Sequence, residues 1–293
     1  MRVDVSEIKT YRTCRRQWLL SSRNRYHLRP RITPPAFLTG TLFHEALHQL
    51  YMEVPVDRVM QMVKKEMLTD NDAALLAMIP GYAREVIPGD LDRYQVLDIE
   101  HRFLFTPTTE DGEVIDEDLQ VTGSIDMIAV ERDTGLVYGF EHKTTKNFRE
   151  PTYMWMDEQP RVYTYALKLF VKNYNFLHDT DYKLGGIYIN EVKKLLRDFK
   201  YQRTLCVYPG DDLENFMQGF FGSCVACKVS VETNDKAIPN PSYFACQMCS
   251  YKTICETYMY STLKEIEVLE EFKEEFLKRT EDHLDEKVER LLE

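Results

Sequence analysis

Residues 139–146 read Gly-Phe-Glu-His-Lys-Thr-Thr-Lys, so that Glu141 stands two positions before Lys143. In a β-strand, residues i and i+2 project from the same face. A carboxylate and an ammonium group would therefore lie side by side at the end of an apolar strand, either as an exposed ion pair or as one half of a metal site. The same acid-x-lysine spacing recurs at Asp181/Lys183, Glu191/Lys193, Asp198/Lys200, Glu271/Lys273 and Asp285/Lys287, so neighbouring residues have to decide between these possibilities.

A second carboxylate lies in the preceding apolar segment. Asp126 is the single charged residue of residues 123–130, and a lone carboxylate is costly to bury unless it is paired or bound to a metal. If the two segments form a hairpin about residues 133–135, Asp126 and Glu141 come close together and raise each other's pKa unless a cation lies between them. Hard oxygen ligands of this kind suit Mg²⁺ or Mn²⁺.

This arrangement resembles the core of the PD-(D/E)xK nucleases. The wider pattern is similar to the RecB-like branch, which includes the nuclease domains of RecB and AddB and the CRISPR-associated RecB-like nucleases. That branch also carries a Gly-x-x-x-His motif on an earlier helix and a Gln-x-x-x-Tyr helix after the lysine strand. The matching residues, in the family's order, are Gly40 and His44, Asp126, Glu141-His142-Lys143, and Gln159 with Tyr163.

The resemblance implies a role for each matched side chain. His44, Asp126 and Glu141 would bind the divalent metal, and the backbone carbonyl of His142 would complete its shell. The metal would activate a bound water and neutralise charge on phosphate. Lys143 would orient or activate that water and stabilise the transition state.

Four further residues are candidates for supporting this site, two by resemblance and two by their position in the sequence. By resemblance, Gln159 and Tyr163 would position the scissile strand and the lysine. Glu45 and His48 lie on or near the helix of the histidine motif and are candidates for groups that support the metal ligands. The alternative for both is a solvated helix face.

The cysteines suggest a second inorganic centre. Cys246-x2-Cys249-x5-Cys255 is compact enough to surround one centre but leaves it one ligand short. Cys14 is the natural fourth candidate, because the nuclease branch named above often has a four-cysteine [4Fe–4S] site with one ligand before the nuclease motifs and three after them. Thiolate ligation fits a cluster or zinc. The resemblance favours the cluster, which would join the N-terminal and C-terminal segments.

The remaining thiols are expected to be structural. Cys224 and Cys227 also form a Cys-x-x-Cys pair, but they follow Phe220-Phe221 in an apolar helical stretch. We interpret them as buried thiols and Cys206 as a strand core residue.

Composition limits the possible functions. A net charge of -11 over 293 residues argues against wholesale nonspecific binding of nucleic acid. Residues 73–79 form the longest uncharged apolar run, which is too short to span a bilayer, and the N-terminus does not read as a signal peptide. We therefore expect an intracellular, cytoplasmic protein without a membrane partner.

The N-terminal segment is locally basic despite the acidic total. Arginines in residues 1–31 alternate with aromatic residues, a combination that pairs with phosphate and stacks on unpaired bases. The alternative is that the aromatic residues belong to the core and the arginines pair with the acidic C-terminal helix. The predicted DNA-binding residues are Arg15, Arg16, Trp18, Arg23, Arg25 and Arg29.

Periodicity predicts an α/β protein with a restriction-endonuclease-like core, in which helices flank a mixed central β-sheet. Strands are expected at residues 96–107, 120–131, 136–143, 184–190 and 201–208. Helices are expected at residues 5–22 (capped by Ser6), 36–53, 56–95 (broken at Pro80-Gly81 and Pro88-Gly89), 153–172, 211–230 and 261–293. The predicted segments are an N-terminal helix and basic loop (1–35), a helical region with the histidine motif (36–95), the nuclease core (96–230), a cysteine-rich segment (231–260) and an acidic helix (261–293).

The predicted function is a metal-dependent DNA nuclease, most simply a RecB-like exonuclease acting on DNA ends or single strands in recombination, replication or DNA processing. The chain has no phosphate-loop motif, so a helicase or recombination protein is a candidate partner. The alternatives are a CRISPR-type spacer-trimming nuclease, a non-catalytic DNA-binding protein stabilised by a cluster, and a zinc-stabilised interaction protein.

Overall fold

A computed structural model of the chain describes residues 1–30, 35–67, 73–109, 111–260, 265–273 and 275–278. The chain divides into two compact units. The larger unit contains Arg2 and Pro34–Phe221, and the smaller contains Met1, Val3–Thr33 and Gly222–Glu293. None of the helices in the described ranges has the length and apolar composition needed to cross a membrane.

Four helices begin the larger unit. The predicted break at Pro80-Gly81 is wrong, because Pro80 lies inside a helix and a Cβ at Gly81 would overlap the Phe199 side chain. Gly81 therefore permits a close approach rather than ending the helix. Pro88 instead lies in the first turn of a new helix, where its missing N–H costs no hydrogen bond. The four helices are α3 (Pro35–Tyr51), α4 (Val56–Glu66), α5 (Leu75–Glu85) and α6 (Ile87–Arg93).

A mixed sheet forms the centre of this unit, as predicted. Strand β4 pairs antiparallel with β3 and β5, β5 pairs parallel with β6, and β6 pairs antiparallel with β7. Arg2, the first residue of β1, belongs to the larger unit. The strands are β1 (Arg2–Asp4), β3 (Tyr94–Phe105), β4 (Gln120–Glu131), β5 (Leu136–Thr145), β6 (Lys183–Lys193) and β7 (Tyr201–Cys206).

The parallel pairing of β5 with β6 requires a crossover connection. The predicted helix at residues 153–172 is in fact two helices, α7 (Pro151–Met156) and α8 (Glu158–His178). They are separated by Asp157, whose extended backbone and side chain cap α8 through the N–H of Gln159. Helix α8 packs against β5 and β6.

The smaller unit departs from the predicted single helix at residues 5–22. Cys14 has an extended backbone (φ −156°, ψ 108°), which ends α1 (Val5–Thr13) and precedes α2 (Arg15–Ser21). The N-cap is Asp4 rather than Ser6, because the Asp4 carboxylate accepts the N–H of Glu7 at 2.7 Å. Ser6 instead donates its hydroxyl to Asp4.

The predicted acidic C-terminal helix is also corrected. The structure has a short helix, α12 (Glu265–Glu271), followed by strand β8 (Phe276–Lys278), which pairs antiparallel with β2 (Leu28–Pro30). Residues 279–293 lie outside the described residues. The remaining helices are α9 (Gly210–Glu232), within which the boundary between the units falls, α10 (Tyr243–Gln247) and α11 (Lys252–Tyr260).

A buried polar network in the larger unit connects α3, α5 and α6 with the sheet. Arg203 donates from both terminal nitrogens to Asp90, at 2.7 and 2.8 Å, and from Nε to Asn190 at 2.7 Å. The Tyr51 hydroxyl also donates to Asp90, at 2.6 Å, and lies 3.1 Å from the Tyr82 hydroxyl. Asp90 is buried. Loss of its charge would leave the Arg203 guanidinium without its main partner.

We therefore predict that Asp90→Asn lowers the free energy of unfolding by about 3 kcal/mol, the cost of breaking a buried ion pair. Urea denaturation measures this difference. Asp92→Asn, an exposed position on the same helix, is the matched control and should change stability by less than about 0.5 kcal/mol. Equal stability of both variants would show that the Asp90–Arg203 pair contributes nothing.

Candidate active site

Asp126 and Glu141 are brought together by the antiparallel pairing of β4 and β5. The described register ends at Met127↔Phe140, one residue short of Asp126 and Glu141, and the charge of Asp126 acts on Glu141. The Asp126 carboxylate accepts the backbone N–H of His142 at 2.7 Å, and its other oxygen lies 3.3 Å from Nδ1 of His44 on α3. Three separate elements therefore place the predicted metal ligands at one site.

The electrostatics of Asp126 and His44 correspond to an ion pair. Burial acts to raise the pKa of Asp126, but its hydrogen bond to His44, the charge of His44 and the contacts with His142 outweigh burial and lower it. Burial acts to lower the pKa of His44, and the bond and charge of Asp126 reverse this and raise it. Each group thus favours the charged form of the other.

Glu141 has one satisfied and one unsatisfied oxygen. Its Oε1 accepts from the Lys143 ammonium and, at 2.9 Å, from Gln159 Nε2. Its Oε2 is buried and has no hydrogen-bond partner in the described part of the chain. Burial, with the nearby charge of Asp126, raises the pKa of Glu141 to about 7 although Lys143 acts in the opposite direction.

These donors suit a divalent cation. An unpartnered carboxylate oxygen, a second carboxylate and an imidazole at one site form a hard ligand set, and a cation would offset the repulsion between Asp126 and Glu141. As they stand, the donors are engaged pairwise, His44 with Asp126 and Lys143 with Glu141. Among the described residues, no three side chains of His, Cys, Asp or Glu are arranged so that they could bind one metal ion as they stand.

Gln159 connects the carboxylate to the tyrosine of its own helix. Its amide nitrogen lies 2.9 Å from both Glu141 Oε1 and the Tyr163 hydroxyl. The two residues are four positions apart on α8, so they share one helix face. Lys143 faces the same carboxylate, and Glu141 raises the pKa of Lys143 against the effect of burial. The lysine is therefore charged at neutral pH.

The His142 side chain lies apart from this cluster. It is buried, Asn190 Nδ2 lies 3.2 Å from its Nδ1, and its ring stacks on Tyr51 with centroids 5.9 Å apart. Burial lowers the pKa of His142 to about 4, so the imidazole is neutral. The hydrogen bond of His142 to Asp126 is made by its backbone N–H, and the predicted role of its carbonyl stays a prediction.

The two weaker candidates differ in placement. Glu45 is exposed and accepts from Gln49 at 3.1 Å. His48 lines the same small cavity as His44 and Asp126, with its Nδ1 3.8 Å from Glu100 Oε1. The structure therefore brings His48, but not Glu45, to the cavity beside the site.

Sequence reasoning missed an arginine beside the catalytic strand. Arg149 donates from Nε to Glu191 Oε1 at 2.8 Å and from its backbone N–H to Glu191 Oε2 at 3.1 Å. Glu191 is buried on β6, directly in register with Lys143. Glu191 belongs to one of the acid-x-lysine triplets, whose spacing alone is uninformative. An acidic residue inside an apolar strand is nevertheless a signal that a cation lies nearby.

The four predicted cluster cysteines all belong to the smaller unit and are partly buried. Burial raises the pKa of the Cys249 thiol, and the nearby Cys14 and Cys246 raise it further. Burial likewise raises the pKa of Cys255, where Arg16 opposes and the other three thiols add to the rise. The four thiols are therefore within electrostatic reach of one another. Cys206, Cys224 and Cys227 are fully buried, as predicted.

Two predicted DNA contacts are corrected by the packing of the smaller unit. Trp18 is fully buried and donates its indole N–H to Glu7 at 3.1 Å, and Arg16 is buried with its guanidinium over the Tyr258 ring. Both are core residues, Trp18 through its bond to Glu7 and Arg16 through its stacking on Tyr258. Arg25 donates to the carbonyls of Ser230 and Asp235 at the end of α9.

The other predicted arginines are more accessible. Arg29 is exposed and Arg23 is partly exposed. Arg15 lies at the surface, 3.4 Å from Asp235. Their contact with DNA stays a prediction.

Comparison with known proteins identifies one family. The sequence profile of the PD-(D/E)XK nuclease superfamily matches residues 2–256. No curated protein matches the chain. Among solved structures, a candidate exonuclease from Eubacterium rectale is 13% identical with a TM-score of 0.47, over 89% of this chain and 88% of its own. The protein SSO0001 is 12% identical with a TM-score of 0.31, over 75% of this chain and 84% of its own.

The raised pKa of Glu141 predicts a pH-dependent effect of Glu141→Gln on the metal-free protein. Below about pH 4.5 the wild-type carboxyl is neutral in both the folded and unfolded states, and above about pH 7 it is charged in both. The folded wild type therefore loses stability relative to the variant as the pH rises through this window. The variant should gain about 2 to 3 kcal/mol over the wild type between pH 4.5 and 8.

Urea denaturation in EDTA at several pH values measures this gain. Glu117→Gln, an exposed acid in the same unit, serves as the control and should show no such trend. A difference between Glu141→Gln and wild type that does not change with pH would contradict the electrostatic description of the site.

Proposed function

Because this chain belongs to the PD-(D/E)XK nuclease superfamily, and is thus a nuclease, we propose that it is a divalent-metal-dependent deoxyribonuclease of the RecB-like type. Its proposed activity is exonucleolytic, on DNA ends or single strands. One observation carries the proposal: Asp126 and Glu141 each adjoin the last registered pair of β4 and β5, and the buried Oε2 of Glu141 lacks a hydrogen-bond partner within the described residues.

The proposed metal ligands are His44, Asp126 and Glu141, with the His142 carbonyl. When bound, the cation lowers the pKa of water and neutralises the charge that develops on phosphate. His44 and Asp126 are already oriented toward each other by their ion pair. The backbone N–H of His142 fixes the Asp126 carboxylate.

Lys143 supplies the positive charge of the proposed mechanism. It is held beside Glu141 and is protonated at neutral pH, so its ammonium can donate hydrogen bonds to the attacking water and to the phosphate oxygen that gains charge. Gln159 orients Glu141 and Tyr163 through its amide. Tyr163, whose hydroxyl accepts from the Gln159 amide, is proposed to help position the scissile strand.

We further propose that Cys14, Cys246, Cys249 and Cys255 hold one [4Fe–4S] cluster. The support is that the four thiols belong to one unit and that Cys14 and Cys246 raise the pKa of both Cys249 and Cys255. Such a centre would connect the break between α1 and α2 to the segment around α10 and α11 within that unit. Zinc is the competing occupant, since it too takes four thiolates.

The proposed setting is recombination, replication or DNA end processing, with DNA as substrate and a helicase or recombination protein as a candidate partner. Trimming of CRISPR spacers is a narrower version of the same activity. The competing possibility is a non-catalytic DNA-binding protein. The contact of Lys143 with Glu141 and the nearby charge of Asp126 favour the enzyme, because DNA binding alone does not require two carboxylates close together.

The metal-dependent activity has a direct test. Asp126→Ala and Glu141→Ala should each lower the rate of DNA cleavage at least about a hundredfold, because each removes a metal ligand, and EDTA should abolish wild-type cleavage. Digestion of end-labelled single- and double-stranded DNA with Mn²⁺ or Mg²⁺ measures the rate and shows whether cleavage begins at ends. Glu117→Ala is the control with unchanged activity, and wild-type rates in purified Glu141→Ala would refute the assignment.

The cluster proposal predicts the metal content of the purified protein. After anaerobic purification the wild type should contain iron and absorb near 400 nm, and Cys14→Ser should lose most of its iron because one thiolate ligand is missing. Cys206→Ser, which changes a buried thiol of the other unit, should retain it. Zinc without iron in the wild type would overturn the cluster, and full iron in Cys14→Ser would exclude Cys14 as a ligand.

A further inference from the structure

Helix α7 presents three large apolar side chains to solvent. Tyr153, Trp155 and Met156 are 68%, 40% and 66% exposed, while Met154 is buried and anchors the helix. The Trp155 ring lies against Tyr208 with centroids 5.3 Å apart, which orients the indole. Three exposed large side chains within a six-residue helix form an apolar patch of the kind that marks a binding surface.

Arg149 adds a fixed positive charge immediately before this helix. Its Nε is bound by the buried Glu191, and NH1 lies 3.8 Å from Asp157 at the opposite end of α7. The side chain nevertheless remains 40% exposed. A guanidinium held by carboxylates along one edge, with its other edge in solvent, is oriented to bind an additional anion such as phosphate.

The chain path places this surface beside the catalytic residues. Strand β5 carries Lys143, and six residues later the chain reaches Arg149. Helix α7 then ends at Asp157, which caps α8 next to Gln159. The segment is therefore bounded on both sides by side chains that contact Glu141.

We propose that Arg149, Tyr153, Trp155 and Met156 form a strand platform that binds an unpaired DNA strand next to the catalytic site, with Arg149 on a phosphate and the α7 side chains on the bases. This rests on the proposed function, whose substrate class it narrows to DNA with unpaired bases. Base faces are accessible to aromatic side chains in a single strand but are stacked on each other inside a duplex.

The combination of groups favours nucleic acid over a protein partner. Exposed apolar side chains alone fit either occupant, but an oriented arginine beside aromatic rings matches the alternation of phosphate and base in a single strand. Lys143 and Gln159 lie nearby, so a DNA strand bound here would pass close to the proposed catalytic residues. A protein docked on α7 would need neither contact.

The tryptophans allow binding to be observed without cleavage. The chain has two tryptophans, and Trp18 is fully buried whereas Trp155 is partly exposed. In EDTA, oligothymidylate should quench the fluorescence of the full-length protein in a saturable way, and a blunt-ended DNA hairpin should quench it much less. Trp155→Phe should abolish the quenching without abolishing binding measured by polarisation of a labelled oligothymidylate.

Tyr153→Ala tests the platform with a side chain that has no ring partner among the described residues. It should weaken binding of oligothymidylate about tenfold, the scale of one base–aromatic stack, and leave binding of the hairpin unchanged. Phe176→Ala removes an equally large side chain, 85% exposed at the far end of α8, and should leave both affinities at the wild-type level.

The outcomes separate this inference from the proposed nuclease activity. Unchanged oligothymidylate affinity in Tyr153→Ala would overturn the strand platform, including the case in which α7 binds a protein instead, even if the wild type cleaves DNA with Mn²⁺. Equal loss of affinity in Phe176→Ala would overturn it as nonspecific. Loss confined to Tyr153→Ala in a protein that does not cleave DNA with Mn²⁺ would support the platform and reject the enzyme.

Discussion

The crowding of two carboxylates at the end of two paired strands is the constraint on which the site depends. Glu141 is buried and Asp126 is partly buried, and the charge of Asp126 raises the energetic cost of the charge on Glu141. The chain compensates with His44 from α3, Lys143 from β5 and Gln159 from α8. One oxygen of Glu141 stays without a hydrogen bond in the described structure. The elements around the sheet can therefore be understood as supports for these two carboxylates, which the proposed cation would complete.

The rest of the larger unit holds these supports in place. The Asp90–Arg203 pair binds Asn190, which in turn contacts the His142 side chain. This network fixes the side chain of His142, the residue between Glu141 and Lys143. Glu191, in register with Lys143, fixes Arg149 in the following loop. Buried polar networks of this kind specify one geometry when every member is satisfied.

The sequence predicted the site better than the boundaries of the elements. Asp126, Glu141 and Lys143 were recognisable because a charge inside an apolar strand is costly unless it is paired or bound to a metal. The mixed sheet was predicted from the change of hydrophobic periodicity along the chain. The break at Cys14 and the strand at Phe276–Lys278 were missed, since both depend on contacts distant in sequence. Trp18 was misassigned because an aromatic residue among arginines gives no sign of whether it faces solvent or the core. Arg149 was missed because its partner Glu191 is identified by the fold and not by a motif.

The central claim is that Asp126 and Glu141 together hold a divalent cation, and calorimetric titration with Mn²⁺ tests it most directly, because it requires no substrate and no assumption about the reaction. Wild-type protein should show saturable Mn²⁺ binding at neutral pH. Asp126→Asn and Glu141→Gln, which keep the shape of each side chain and remove its charge, should each weaken that binding by at least about tenfold, in line with the loss of a carboxylate ligand. Unaltered Mn²⁺ affinity in both variants would contradict the account.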